Sequence, residues 1–250
     1  MFELTLAGKE RQLGSNHPST LNSRGNLATA YRDTGRAAEA IGLFEQTLEG
    51  REKVLGADHP DTVHSRINLA AAYREAGRVT EAIPLVERTL AACERQLGAE
   101  HPRTMSARNN LANAYRDVGR TEEAIVLHEQ TLAACMRQLG AEHPRTLGSR
   151  SNLAASYQEA GRVDEAIRLY EQTLADRERL LGAEHPSTLN SRHHLAAAYR
   201  DAGRAGEAIR LLEQTLEARE RVLGRDHRDT VATRNLLAPG QPNAGPTASD

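Results

Sequence analysis

Leucine, alanine and tyrosine recur along this chain at three- and four-residue steps, in stretches that halt at a glycine and then resume. From Leu97 to Gln138 it reads LGAEHPRTMSARNNLANAYRDVGRTEEAIVLHEQTLAACMRQ, and Leu139 begins the same phrase again. The phrase starts at Leu13, Leu55, Leu97, Leu139, Leu181 and Leu223, a period of 42 residues with no insertion. A fixed period of this size marks a solenoid. Within one unit, Leu111, Ala112 and Tyr115 predict an amphipathic helix from Pro102 to about Val118. Pro102 suits the first turn, where its missing N–H costs nothing. Glu100 favours the positive end of the helix dipole, and Gly119 allows a left-handed stop. Ala124, Ile125, Leu127, Leu132 and Cys135 predict a second helix from about Thr121 to Leu139, ended by Gly140. Connections this short set the two helices antiparallel. Neither buries its apolar face alone, so the units must stack. The expected class is all-α, a right-handed α-solenoid of antiparallel helix pairs.

The phase of the repeat predicts the organisation. An array covers 1–238, with complete units at 13–54, 55–96, 97–138, 139–180 and 181–222. Residues 1–12 align with the end of a second helix, and 223–238 supply a first helix alone, so twelve helices are expected. Residues 239–250, PGQPNAGPTASD, are expected to be a disordered tail. Phe2 and Leu6 at one end, and Val231, Leu236 and Leu237 at the other, read as complementary uncovered faces. They predict weak head-to-tail self-association. Pro84 falls inside a second helix where the other units have Gly42, Val126, Arg168 and Arg210, and predicts a local bend.

Leu111-Ala112-x-x-Tyr115, then Gly119, then Ala124-x-x-x-His128 resembles the tetratricopeptide repeat, as does the series Leu27, Ala28, Tyr31, Gly35, Ala40 and Phe44. Two features depart from the common 34-residue form. Arg24, Arg66, Arg108, Arg150, Arg192 and Arg234 stand where that form often has Trp, and eight extra residues follow Leu48 and its equivalents. The length and the phrase NNLAxAYR are similar to the repeats of kinesin light chains and their bacterial relatives. The resemblance implies a superhelix whose first helices line the concave surface. Fold alone does not set function.

Composition narrows the function. A formal net charge of −2, from 32 basic and 34 acidic residues, argues against a nucleic-acid surface. No stretch reaches the roughly 18 apolar residues of a membrane span, and no secretory signal precedes the first repeat. Cys93 and Cys135 occupy the same place in adjacent units. Equivalent helices lie about 10 Å apart, too far for a disulfide, which points to reduced thiols and a cytoplasmic setting. His17, His59, His101, His143, His185 and His227 recur every 42 residues, too far apart to share a metal. They read as caps or turn-packing groups. No G-x-S-x-G, phosphate-binding glycine loop or H-E-x-x-H occurs. An enzyme, a cofactor and a metal site are therefore not expected.

Two recurring polar positions carry the functional reading. Arg108, with Arg66 and Arg150, lies on the packing side three residues before the Leu of the first helix. A buried Arg needs a carboxylate, and the Glu of E-x-T-L, such as Glu87 or Glu129, is the expected partner in an internal ion-pair ladder. On the opposite side stand Asn26, Asn68, Asn110, Asn152 and His194. An Asn amide offers both a donor and an acceptor, so a row of them can hydrogen-bond an extended peptide. The resemblance adds weight, because related peptide-binding repeats use the matching asparagine this way. Asn113 sits with small residues beside the row, and Arg32, Arg74, Arg116 and Arg200 flank it, where they can meet carboxylates. The expected function is a non-catalytic interaction scaffold binding a protein or peptide segment on its concave face. The alternatives are a regulatory or sensor segment of a larger multidomain protein, such as a nucleotide-switch ATPase, and a self-assembling head-to-tail scaffold.

Overall fold

A computed structural model describes residues 2–238 of the chain; the tail expected over 239–250 lies outside the described residues. Among the described residues there are twelve helices and no strands. The first helices of the repeats are α2 (Pro18–Asp33), α4 (Pro60–Glu75), α6 (Pro102–Asp117), α8 (Pro144–Glu159), α10 (Pro186–Asp201) and α12 (Arg228–Leu237). The second helices are α1 (Phe2–Leu13), α3 (Ala37–Leu55), α5 (Val79–Leu97), α7 (Thr121–Leu139), α9 (Val163–Leu181) and α11 (Ala205–Leu223).

The start of each first helix is built by the His-Pro pair. Pro fills the first turn of α2, α4, α6, α8 and α10, where no N–H is needed. The histidine before it is the N-cap. The Nδ1 of His101 accepts the backbone N–H of Arg103 at 3.1 Å, and His17, His59, His143, His185 and His227 repeat the bond. His227 keeps this cap although Arg228 replaces the proline. Gly140, at φ 84°, stops α7 in a conformation that a side chain would strain.

The chain divides after Gly119 into two units, residues 1–119 and 120–250. Within the first, α1 to α6 pack each against the next, and within the second α7 to α12 do the same. Alanine makes the close approach possible: Ala28, Ala40, Ala82 and Ala112 in the first unit, and Ala154, Ala166 and Ala196 in the second, have no exposed surface. Larger apolar groups fill what remains. Phe44 and Leu21 are buried in the first unit, and Tyr170 packs with Ile167, Leu195 and Ala198 in the second.

Helix α5 runs unbroken through Pro84, whose ring is exposed. The pyrrolidine nitrogen still cannot donate to the carbonyl four residues earlier. Replacing Pro84 with Arg, the residue in this place at 168 and 210, should therefore stabilise the protein by about 1–3 kcal/mol. Thermal unfolding monitored by circular dichroism checks this; an unchanged or lower midpoint would mean that the helix absorbs the proline without loss.

Candidate functional site

Four of the six first helices carry a buried arginine: Arg24, Arg66, Arg108 and Arg150 are 2–7% exposed, while Arg192 and Arg234 at the matching places are half-buried. Arg108 Nη2 donates to Glu94 at 2.8 Å and to the carbonyl of Ala99. Arg24 pairs with Glu10 at 2.7 Å, Arg66 with Glu52 at 3.0 Å, and Arg192 and Arg234 pair with Glu178 and Glu220. The partner lies 14 residues upstream, near the end of the preceding second helix. The expected partner, the E-x-T-L glutamate, is thus replaced by another. Glu87 instead accepts the Tyr115 hydroxyl at 2.7 Å, and Glu129 that of Tyr157 at 2.6 Å. The reason is the antiparallel turn. Glu94 and Arg108 stand seven residues either side of His101, and Glu87 and Tyr115 fourteen either side, so the turn faces each pair together. Tyr73 and Tyr199 make the same bond to Glu45 and Glu171. Burial, then the carboxylate, pushes both hydroxyls up to about 12. Arg78 and Arg204 lie over the faces of these two rings, at 4.6 and 4.1 Å, and pair with Glu81 and Glu207 in the next turn.

The exceptions show how tightly the pairing is held. Arg150 finds Met136 where the other repeats have glutamate. Its carboxylate comes instead from Asp176 on α9, at 2.7 Å, in a place held by Gly50, Ala92, Ala134 and Ala218 elsewhere. The hydrogen bond from Arg150, with a second from Arg179, holds the Asp176 carboxyl below the usual aspartate range. A second exchange lies in the core. His128 stands where Phe44 and Tyr170 do, and its Nδ1 lies 2.8 Å from the hydroxyl of Ser156, where the other repeats have alanine. A third involves the cysteines, both of them free and buried. Cys93 replaces an arginine, and the hydroxyl that arginine would bond is replaced by Ala107.

The opposite side of the first helices is open. Asn26 and Asn110 are exposed, and Asn68 is half-buried; among the described residues their side chains make no hydrogen bond. Asn113 is half-buried beside Asn110, with Thr29 and Ala71 at the matching places. In the second unit Asn152 is half-buried, and exposed His194 stacks on Tyr170 at 5.9 Å and meets the edge of His193. Burial and the His194 charge hold His193 down at about 4, so it is neutral at pH 7. The flanking arginines are partly engaged. Arg32 lies 3.8 Å from Glu75, and Arg74 3.2 Å from Asp117, so these carboxylates compete with any from a ligand. Arg116 and Arg200 are half-buried on the same edge. Among the described residues, no group of three or more His, Cys, Asp or Glu is placed to hold a metal ion, and no helix is long and apolar enough to cross a membrane.

The Met136 exchange gives a direct test. Asp176→Ala should destabilise by about 1–3 kcal/mol, the range for a hydrogen bond to a charged group, and adding Met136→Glu should restore most of it. The Asp176 pKa is depressed in the folded state. Its contribution is therefore present above the ordinary aspartate value of about 3.9 and fades as pH falls through the lower folded value. Urea unfolding of the single and double variants at pH 7 and pH 3 checks both statements. Equal stability of the Asp176→Ala variant and the parent at pH 7 would contradict them.

A tetratricopeptide repeat family model matches residues 1–53, 25–83, 63–137, 104–176, 145–221 and 193–238. No match is found among curated proteins. Among solved structures, a Podosopora anserina protein of nearly identical TPR-like repeats, of kinesin light chain type, is 40% identical. The match covers 83% of this chain and 98% of that one, with a TM-score of 0.74. BtubC (BKLC) from P. vanneervenii shares the fold at 21% identity, over 100% of this chain and 98% of that one, with a TM-score of 0.67. MamA shares it at 17% identity, over 86% and 98%, with a TM-score of 0.57. The chain belongs to the tetratricopeptide repeat family, and its repeats are of the kinesin light chain-like type.

Proposed function

We propose that the chain is a non-catalytic interaction scaffold whose first helices bind an extended peptide segment on their open, concave side. The observation that carries this is the state of Asn26, Asn68 and Asn110. Three other recurring polar groups of the repeat have partners inside the protein: the capping histidine, the buried arginine and the tyrosine hydroxyl. The asparagine recurs at the same 42-residue interval, yet among the described residues these three bond nothing.

The dimensions fit an extended strand. Equivalent helices stand about 10 Å apart, and polyproline II backbone advances about 3.1 Å per residue. One amide therefore meets the peptide about every three residues. Each amide can give one bond and take one, which reads the backbone and not the side chains. The floor between the asparagines is small and uncharged at Thr29, Ala71 and Asn113. The edge arginines Arg32 and Arg74, already next to Glu75 and Asp117, serve as a rim.

Replacing Asn26, Asn68 and Asn110 together with alanine should weaken peptides selected on a random-peptide array at least tenfold, from three lost hydrogen bonds of about 0.5–1.5 kcal/mol each. The thermal midpoint should stay level or rise, because alanine is the better helix former by about 0.5 kcal/mol per site. Binding kept by the triple variant, or its unfolding, would sink the reading.

A further inference from the structure

In three repeats the second helix sends an arginine between two first helices to their open side: Arg51, Arg177 and Arg219. Arg51 Nη1 donates to the carbonyl of Asp61 at 3.0 Å and to Ser65 Oγ at 2.7 Å, while Nη2 donates to Asn22 Oδ1 on the preceding first helix. Arg219 repeats all three bonds, to the Asp229 carbonyl, Thr233 and Asn190. Arg177 keeps only the first two, to the Ser187 carbonyl at 3.2 Å and Ser191 Oγ at 2.6 Å. The residue 29 places earlier, Asn22 for Arg51 and Asn190 for Arg219, is Gly148 for Arg177. Among the described residues nothing accepts a hydrogen bond from Arg177 Nε or Nη2, and no carboxylate lies within ion-pair distance. We propose that Arg177 and the notch at Gly148 form a carboxylate pocket in the open face of the second unit, receiving an acidic side chain or chain terminus of a bound extended peptide.

Four observations converge on this pocket. First, Nε and Nη2 lie on one edge of the guanidinium, the planar fork that takes both oxygens of a carboxylate. Second, in the two sister repeats an amide oxygen already sits on Nη2, which shows what kind of atom this place accepts. Third, a Cβ built on Gly148 meets nothing within 4 Å, so there is room for an incoming group. Glycine inside a helix costs about 0.5–1 kcal/mol against alanine, and α8 carries that cost here. Fourth, the charge is uncompensated: burial alone holds the Arg177 pKa below the ordinary arginine value, with no acid to offset it. Half-buried and unpaired, it has more to gain from a ligand oxygen than a solvated arginine would.

The pocket rests on the peptide-binding reading of this face, and the test separates the two. The Arg177 Nε–H resonance of 15N-labelled protein, assigned by its loss in Arg177→Gln, is followed while three probes are added: N-acetyl-Ala-Glu-Ala-amide, N-acetyl-Ala-Gln-Ala-amide and N-acetyl-Ala-Ala with a free C-terminus. A shift saturating with the Glu peptide or the free acid, and absent with the Gln peptide, is the expected result; which of the two responds identifies the source of the carboxylate. Gly148→Asn supplies the missing internal cap and should weaken that response at least tenfold while leaving the helical signal intact. Asn22→Gly should create a second responding arginine at Arg51. A response to all three probes alike would overturn the pocket while leaving the peptide groove standing. No response to any probe, or one untouched by Gly148→Asn, would overturn the pocket as well.

Discussion

A guanidinium removed from water must be met by protein atoms, and this chain sets that demand in four successive repeats. Arg24, Arg66, Arg108 and Arg150 are almost wholly covered, and each reaches a carboxylate on a neighbouring helix. The match is incomplete at Nε, which is buried without a partner in Arg24, Arg66 and Arg108. An arginine here is therefore less a source of stability than a constraint on register, since removing its partner strands a charge. The helix that follows the turn can sit at one height only, with the residues seven and fourteen places from the capping histidine facing one another. The tyrosine–glutamate bond, fourteen places out, fixes the same register at the far end of the helix pair.

The divergent repeats show the constraint acting. Met136 removes one carboxylate and Asp176 supplies another from the opposite side of Arg150. His128 brings a polar ring into an apolar place, and Ser156 arrives to meet it. Where Cys93 removes a donor, Ala107 removes its acceptor. Such paired changes are what a packed interior requires when a buried polar group has to be satisfied or deleted together with its partner. The open face varies more freely: Ile67, Asn109, Ser151 and His193 succeed one another at one place. The interior preserves how repeats meet, and the open face is where one repeat differs from the next.

Much of this was legible from the 42-residue period and the three- and four-residue apolar steps. Helix α6 ends at Asp117 and α7 spans Thr121–Leu139, within a residue of what Gly119 and Gly140 imply. The histidines, read as caps or turn-packing groups from their recurrence before proline, prove to be caps. The partner of the buried arginine did not follow, because two glutamates recur in every second helix and periodicity alone does not say which one the turn brings opposite. Counting outward from His101 resolves it, but only once the antiparallel turn is given. The engagement of Arg32 and Arg74 was also hidden: their carboxylates Glu75 and Asp117 lie 43 residues on, a step the 42-residue alignment does not bring into one column. Arg177 was passed over for a related reason, since its distinction is the absent side chain of Gly148.

The central claim is that the buried arginines of α2, α4, α6 and α8 hold each of these helices to the second helix that supplies its carboxylate. Native-state hydrogen exchange of Arg66→Ala tests it most directly. Loss of Arg66 should lower protection in α3, α4 and α5, on either side of the broken seam, while α8, α9 and α10 exchange as in the parent protein. An even loss of protection across all the helices, or none in α3 to α5, would contradict the account.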